Sequence, residues 1–307
     1  MRDQSKVYIG MGGWELEPFN RLFYPPKPVK GFRKLEYYSQ FFDSVEINAT
    51  FYNTSFTPVH ARHWLADVSG NKNFMFTVKL FQGFTHTLNA TMDDVRAVQK
   101  LLDELASAGK LGGLLMQFPY SFTNLPERRH YLKQFGKVFE PHRVFVEMRH
   151  NSWNHPVLYN FFKEHKLHLV NVDLPKIKQH IPLNTYAWNG VSYFRMMGRN
   201  ASAWTKPWRL EADGKHAVSD RYNYLYSEKE LEFLLYYIEK AKEKGNTVYV
   251  VFHNDPEANS LINGFQLRHL AENKQRVAVP RNFVSRFPAL EPISTEAIAH
   301  HPLFEAA

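Results

Sequence analysis

The feature that most limits the fold of this chain is an alternation of short β-branched or aromatic runs with segments of helical periodicity. Eight such runs occur, and their starts are 23 to 56 residues apart, with an average of about 34. This spacing suits βα units, and eight units favour a closed barrel over an open sheet. We therefore predict an α/β fold, a (β/α)8 TIM-like barrel. The runs are Lys6–Gly10, Ser44–Asn48, Phe74–Leu80, Gly113–Phe118, Arg143–Met148, His168–Asp173, Val191–Met197 and Thr247–His253.

Signals for helix starts lie in the gaps between these runs. Four gaps contain an N-cap residue or a proline suited to the first helical turn, and a fifth carries a capping box. A closing helix is predicted over residues 261–270, whereas residues 176–190 show little helical periodicity. Neither GxGxxG nor GxxxxGK[ST] occurs, so the chain lacks the loops typical of nucleotide-binding open sheets. The predicted starts are Thr57-Pro58, Thr91, Pro126, Pro156 and Ser227-Glu228-Lys229-Glu230.

Composition narrows the class of protein. No Pro-, Ser- or Gly-rich linker divides the chain, so we predict one barrel domain over residues 1–275 and a C-terminal extension, 276–307, packed on or trailing from it. The chain has no cysteine, which excludes disulfides, thiolate metal sites and cysteine nucleophiles. No stretch approaches the roughly 18 apolar residues of a membrane span, and the polar start is unlike a signal peptide. We expect a cytoplasmic protein of undetermined oligomeric state, whose net charge of +8 favours anionic partners.

Polar residues gather at the ends of the predicted strands, where barrel enzymes carry their active sites. Residues two apart in a strand share a face. We therefore predict that three pairs point into the barrel: Glu46 with Asn48, Glu147 with Arg149, and Asn171 with Asp173. Such charges are costly inside a barrel unless they pair or serve a function. The candidate site residues are Trp14, Glu46, Asn48, Lys79, Gln117, Glu147, Arg149, Asp173, Arg195 and Asn254.

Several short motifs follow one another along the chain: Gly12-Gly13-Trp14, Phe23-Tyr24-Pro25, Leu35-Glu36-Tyr37-Tyr38, Val45-Glu46-Ile47-Asn48, Phe76-Thr77-Val78-Lys79, Gln117-Phe118-Pro119, Glu147-Met148-Arg149-His150, Tyr193-Phe194-Arg195 and Phe252-His253-Asn254-Asp255. Their order resembles that of the YecE-like family, also called domain of unknown function 72. The resemblance covers roughly residues 8–270 and implies a TIM-barrel-like fold with no settled reaction. One departure is visible, because His253 stands where the family motif Asn-Asn-Asp has its first Asn.

The leading hypothesis is an enzyme that acts on a phosphorylated or carboxylated substrate without a cofactor. Arg149 and Arg195 would bind the anion through paired hydrogen bonds. Glu46, Lys79 and Glu147 would transfer protons, and Lys79 would lose its proton more easily because two arginines crowd it. The reaction class stays open between hydrolase, lyase and isomerase. The remaining candidate residues, Trp14, Asn48, Gln117, Asp173 and Asn254, would bind substrate.

Two alternatives remain at this stage. The first is a metal-dependent hydrolase or isomerase, with Glu46, Glu147, Asp173 and His253 around a divalent metal ion. No HxH or HExxH spacing supports it, and the neighbouring cations would repel a metal ion. The second is a non-catalytic nucleic-acid-binding module that uses the aromatic, basic loop 199–226 to stack bases. The opposing interpretation is that the loop folds over its own aromatic cluster and buries its rings. The aromatic and basic residues concerned are Trp204, Trp208, Arg209, Arg221, Tyr222, Tyr224 and Tyr226.

Overall fold

The computed structural model describes residues 6–177, 179–206, 220–244 and 246–296. Within these residues, strands and helices alternate along most of the chain, and six short 3-10 helices lie in the connections. The strands are β1 Val7–Met11, β2 Ser44–Ile47, β3 Met75–Lys79, β4 Leu111–Gln117, β5 Val144–Glu147, β6 Leu167–Leu169, β7 Asn171–Asp173, β8 Val191–Met196, β9 Thr247–Phe252, β10 Val277–Val279 and β11 Ser294–Glu296. The helices are α1 Glu17–Leu22, α2 Lys34–Tyr38, α3 Pro58–Asp67, α4 Met92–Ser107, α5 Pro126–Val138, α6 Pro156–Glu164, α7 Ala201–Trp204, α8 Glu228–Lys242, α9 Asn259–Ala271 and α10 Arg281–Arg286.

The main sheet is parallel and has the strand order β6-β5-β4-β3-β2-β1-β9-β8-β7. Its two edges, β6 and β7, are separated in the chain only by Val170. β6 pairs with β5, and β7 pairs with β8, so two halves of one strand join the two edges. The sheet therefore wraps into a nearly closed cylinder of eight strands. This confirms the predicted TIM-like barrel and corrects one detail, because the run His168–Asp173 is interrupted at Val170.

The helices begin where the capping signals place them. Thr91 accepts a hydrogen bond from the backbone N–H of Asp94, and the Asp94 carboxylate accepts one from the backbone N–H of Thr91. Ser227 and Glu230 form the same reciprocal pair at the start of α8. Between β7 and β8 the described residues form no helix, in agreement with the weak periodicity there. One of the eight units thus lacks its helix.

Aromatic side chains fill the lower part of the barrel interior. Tyr8 stacks on Tyr249 with ring centroids 5.2 Å apart, and Phe145 contacts Tyr193 with centroids 4.6 Å apart. Gly112 is required opposite this cluster because a Cβ there would lie 2.8 Å from the ring of Tyr249. This aromatic cluster fills the barrel near the N-terminal ends of the strands. The polar side chains near the C-terminal ends of the strands pack above it.

The predicted inward orientation of Asn171 and Asp173 is wrong. In a parallel pair, register partners point to the same face, and Asp173 is the partner of Met196, which alternation puts on the face opposite to the inward Arg195. Val172 is the partner of the inward Arg195 instead. Alternation separates the two faces of a strand but does not say which face is inside when apolar residues occupy both. In this run Val170 lies in the inner cluster and Leu169 in the outer one.

The described part of the C-terminal extension packs on the outside of the barrel. Phe283 is fully buried, and its ring lies 5.6 Å from Phe23 and 5.9 Å from Phe265. The side chain of Asn282 donates a hydrogen bond to the backbone carbonyl of Phe23 at 3.0 Å. β10 and β11 form a separate two-stranded parallel sheet. In the part of the chain that the structure describes, no helix is long and apolar enough to cross a membrane.

Candidate functional site

Arg195 is the centre of a buried ion-pair network in the upper part of the barrel. It extends inward from β8, and its side chain is 1% exposed. Its Nη2 and Nε donate to the two carboxylate oxygens of Glu46 at 2.8 and 3.0 Å, and its Nη1 donates to Glu147. Tyr193, two residues earlier on the same face, donates its hydroxyl to Glu46 at 2.8 Å. Strands β2, β5 and β8 are thus joined across the interior by charge-assisted hydrogen bonds.

Arg149 connects this network to solvent. It lies just beyond β5, its Nε donates to Glu147 at 2.9 Å, and its side chain is 14% exposed. The guanidinium lies 5.6 Å from the ring centroid of Trp204, within range of a cation–π contact. Glu147 therefore pairs with Arg195 below and with Arg149 above. Gln117 is the register partner of Glu147 on β4 and lies beside it, with its amide bonded to the carbonyl of Phe118.

Lys79 is the last residue of β3 and lies on the same interior face. Its Nζ lies 4.0 Å from the ring centroid of Phe51, and among the described residues it forms no hydrogen bond and no ion pair. Burial, aided by the charges of Arg195 and Arg149, lowers the pKa of Lys79 to about 7, against the opposing effect of both glutamates. The predicted crowding of this lysine by two arginines is therefore present. Near neutral pH a large fraction of its amine is unprotonated.

The two glutamates are held as carboxylates. Burial by itself raises the pKa of Glu46 and of Glu147. Arg195 together with the other neighbours, His253 and Lys79 for Glu46 and Arg149 for Glu147, outweighs this effect, and both pKa values are lowered. Both side chains are fully buried, and Arg195, Tyr193 and Arg149 occupy their oxygens. This geometry favours them as groups that orient Arg195 and Arg149 more than as the proton-transfer groups of the hypothesis.

His253 closes the network on the side of β9. Its Nε2 lies 2.8 Å from Arg195 Nη2 and 3.1 Å from Glu46 Oε1. Burial and the charge of Arg195 lower its pKa to about 4, so the imidazole is neutral at neutral pH and accepts a hydrogen bond from Arg195. Asn48 lies next to it and donates its amide to the carbonyl of Gly12 at 2.6 Å. The residue that departs from the family motif is thus a direct neighbour of the central ion pair.

Three of the predicted site residues lie elsewhere. Asp173 faces outward and accepts three hydrogen bonds from Arg199, of which the two shortest are Nη2 to Oδ1 at 2.8 Å and Nε to Oδ2 at 2.9 Å. Asn254 donates to the carbonyl of Tyr224 and to Asn263 on α9. Trp14 lies edge-on against Trp64 of α3, with centroids 5.8 Å apart. These three residues hold the loops around the opening and are not grouped with Arg195.

The ligand set of the metal hypothesis is not assembled. Glu46, Glu147 and His253 contact Arg195, and Asp173 is on the other side of the sheet wall. Over residues 6–177, 179–206, 220–244 and 246–296, no three His, Asp or Glu side chains are grouped so that they could hold a metal ion. The carboxylates needed as ligands are already neutralised by a guanidinium.

The described part of the aromatic loop packs largely on the barrel itself. Tyr226 is buried and donates its hydroxyl to Asp173 at 2.7 Å, and Tyr224 donates to Glu230. Trp204 is half-buried, and its Nε1 donates to the carbonyl of Arg221 at 2.9 Å. Trp208 and Arg209 lie outside the described residues. The interpretation that the loop covers its own aromatic cluster agrees with these contacts.

Two neighbours of the site escape sequence reasoning. His86, in the loop after β3, contacts the ring of Phe51 with centroids 4.9 Å apart, and burial together with the charge of Lys79 lowers its pKa to about 4. No pattern in the sequence marks it, because loop positions have no periodicity. The position of Tyr193 could have been predicted, since it lies two residues before Arg195 and strand alternation puts both side chains on one face.

A parallel barrel whose open end holds an arginine–glutamate network defines a TIM-like α/β barrel protein with a charged strand-end site. A model of the family "Protein of unknown function DUF72" matches residues 8–286, so the chain belongs to this family. The resemblance inferred from the motifs is confirmed. The family match also extends past residue 270 and includes α10, which lies in the C-terminal extension.

Relatives with known structures have the same fold. The chain is 29% identical over 289 residues to the UPF0759 protein YunF of Bacillus subtilis (strain 168), covering 90% of this chain and 98% of that protein. A DUF72 family protein from Thermotoga maritima MSB8 has a TM-score of 0.74 at 27% identity, over 87% of this chain and 99% of that one. A DUF72 family protein from Enterococcus faecalis V583 has a TM-score of 0.73 at 23% identity, over 87% of this chain and 95% of that one. The fold is therefore shared with these two solved structures along nearly their whole length.

Proposed function

We propose that this protein is an enzyme that binds a phosphorylated or carboxylated substrate at the open end of the barrel and transfers a proton to or from it. The observation that carries the proposal is the layered arrangement of the charges. Two carboxylates lie fully buried beneath, while Lys79 and Arg149 lie above them and reach solvent. An incoming anion meets the cations first.

Arg149 is the group that binds the anion in this proposal. Glu147 holds its Nε and Trp204 supports its guanidinium, so its two terminal nitrogens keep a fixed orientation. Such a fork matches the geometry of carboxylate and phosphate oxygens. Arg195 does not bind substrate directly, because Glu46, Glu147 and His253 already surround it.

Lys79 is the proton-transfer group of the proposal. A group whose pKa is close to the working pH exchanges protons most effectively, and the pKa of Lys79 is about 7. Glu46 and Glu147 act as positioning residues, since they stay ionised and hold Arg195 from β2 and β5. No metal ion or cofactor is needed for these steps.

Ligand-induced stabilisation measured by thermal unfolding tests the proposal. We expect a panel of phosphorylated and carboxylated metabolites to contain compounds that raise the unfolding midpoint of the native protein. Arg149→Ala should weaken their binding by about 10- to 100-fold, because one charge-assisted interaction is lost. Arg96→Ala is the matched control, since Arg96 is a surface arginine whose side chain is 60% exposed.

Arg149→Lys keeps the charge but loses the fork and should give intermediate binding. The proposal fails if no anion stabilises the native protein, or if Arg149→Ala responds as strongly as Arg96→Ala. The second result would place the anion somewhere other than the open end of the barrel.

A further inference from the structure

We propose that Lys79 is a nucleophile that forms an imine with a substrate carbonyl, and that the substrate carries its anionic group close to that carbonyl. The inference rests on the proposed function, since it uses the same open end of the barrel and the same Arg149. It adds a covalent step and narrows the substrate to anionic aldehydes and ketones such as 2-oxo acids.

The surroundings of Lys79 carry the inference. A lysine near a carboxylate normally pairs with it, yet both nearby glutamates are held by arginines, Glu46 by Arg195 and Glu147 by Arg195 and Arg149. Among the described residues the Nζ has no hydrogen-bond or ion-pair partner, and it lies 4.0 Å from the ring centroid of Phe51. An aromatic ring takes no proton, and an N–H···π contact is weaker than a hydrogen bond to a carboxylate. The amine lone pair is thus available to an electrophile once the proton has left.

The charges around the amine favour its neutral form. Arg149 and Arg195 repel the ammonium, and the protein pays for desolvating it because the site lies inside the barrel wall. A lysine beside other cations is a recognised way to obtain an amine nucleophile at neutral pH. Arg149, which is partly exposed next to it, offers a partner for a carboxylate or phosphate on the same molecule.

The step balances without an added reagent. The Nζ lone pair attacks the carbonyl carbon and the C–O π pair moves to oxygen, which takes one proton from the nitrogen. The second amine proton leaves with the hydroxyl as water, and a neutral C=N bond remains. The imidazole of His86 contacts the same Phe51 ring. It is neutral at pH 7 and therefore adds no positive charge near the amine. Borohydride, an external probe, adds hydride to the imine carbon and fixes the adduct as a secondary amine.

Borohydride trapping with glyoxylate at about pH 7, followed by peptide mass spectrometry, tests the inference. We expect labelling of Lys79 at least 10-fold faster than labelling of Lys100, an exposed lysine on α4 in the same chain. Propanal, which has the carbonyl but no charge, should label Lys79 more slowly. Arg149→Ala should slow the reaction with glyoxylate more than the reaction with propanal, because both lose the repulsion that favours the neutral Lys79 amine but only glyoxylate also loses its charge partner. Lys79→Arg should abolish labelling at position 79 and leave Lys100 unaffected.

The outcomes separate this inference from the proposed function. If Lys79 is labelled no faster than Lys100, the proposal that Lys79 is a nucleophile is wrong. The anion site of the proposed function still stands in that case if metabolites stabilise the Lys79→Arg variant in thermal unfolding. The claim that the substrate carries an anionic group fails if Lys79 is labelled quickly but equally by glyoxylate and propanal. It also fails if this labelling does not depend on Arg149. Absence of both labelling and anion stabilisation overturns both proposals.

Discussion

Gly12 shows how closely single residues around the central ion pair are packed. A Cβ built on Gly12 would lie 2.2 Å from Cε1 of His253 and 2.8 Å from the amide nitrogen of Asn48. Real carbon atoms do not approach so closely, so any side chain at this position must displace the imidazole. The glycine is therefore explained by space beside His253, with no need for an unusual backbone angle.

Gly12→Ala should destabilise the protein by about 1–3 kcal/mol, the usual cost of overfilling a packed interior. Gly70→Ala is the control, because no atom lies within 4 Å of a Cβ there. We expect Gly70→Ala to range from no effect to a gain of about 1 kcal/mol. Urea unfolding of both variants measures the difference, and equal stability of the two would contradict the packing described here.

Asp255 is a buried acid with its own pH dependence. One of its carboxyl oxygens is buried without a hydrogen-bond partner, and burial, with help from the charge of Glu46, raises its pKa to about 7. The folded protein therefore binds a proton that the unfolded chain has lost above pH 4. The contribution of Asp255 to the free energy of unfolding therefore falls as pH rises from about 4 to about 7.

Asp255→Asn removes this titration and keeps the size of the side chain. The stability of the native protein relative to this variant should fall with pH by up to about 1.4 kcal/mol per pH unit between pH 4 and 7. Urea unfolding at several pH values gives the slope. Asp93→Asn, at a side chain that is 88% exposed, should leave the slope unchanged. A slope that Asp255→Asn does not alter would mean that Asp255 is ionised in the folded state.

At the scale of single elements, the start of a helix depends on local sequence, whereas the orientation of a strand depends on its neighbours in the sheet. The starts of α4 and α8 follow from Thr91 and Ser227, because a capping box satisfies backbone N–H groups within four residues. The inward face of β7 could not be read the same way. Whether Asn171 or Val172 faces the interior depends on pairing with β8, which begins about twenty residues later.

Ser227→Ala should lower the stability of the protein by about 1 kcal/mol, since α8 loses a cap. Ser227→Asp should restore most of it, because a carboxylate accepts the same backbone hydrogen bond and lies at the positive end of the helix. The comparison of the two variants by thermal unfolding is the measurement. If Ser227→Asp were as unstable as Ser227→Ala, the cap would not be the reason for the loss.

At the scale of the whole molecule, the described part of the extension behaves as a piece of the outer layer. Phe283 packs on Phe23, which follows α1, and on Phe265 of α9, so residues near the two ends of the family match are in contact. Sequence reasoning predicted the boundary at residue 275 from the last barrel element. It could not decide between packing and trailing, since prolines and scattered apolar residues suit both.

Phe283→Ala should destabilise the whole barrel by about 3 kcal/mol, because it leaves a cavity under the extension. Phe233→Ala is a matched control on α8, where the side chain is 48% exposed, and it should cost less than about 1 kcal/mol. The free energy of unfolding of both variants is measured by chemical denaturation, with a signal that reports on the unfolding of the whole chain. A loss confined to the extension, with the barrel transition unchanged, would show that the two parts unfold independently.

The strand and helix pattern, the barrel and the family could be predicted from the amino-acid sequence, because periodicity, helix caps and ordered motifs are local in the chain. Strand alternation also put Glu46, Lys79, Glu147, Arg149 and Arg195 on the correct face. Which of these charges are neutralised and which remain available became visible in the folded barrel alone. Arg195 takes both glutamates and leaves Lys79 against an aromatic ring, a result of distances across the barrel that no spacing along the chain encodes.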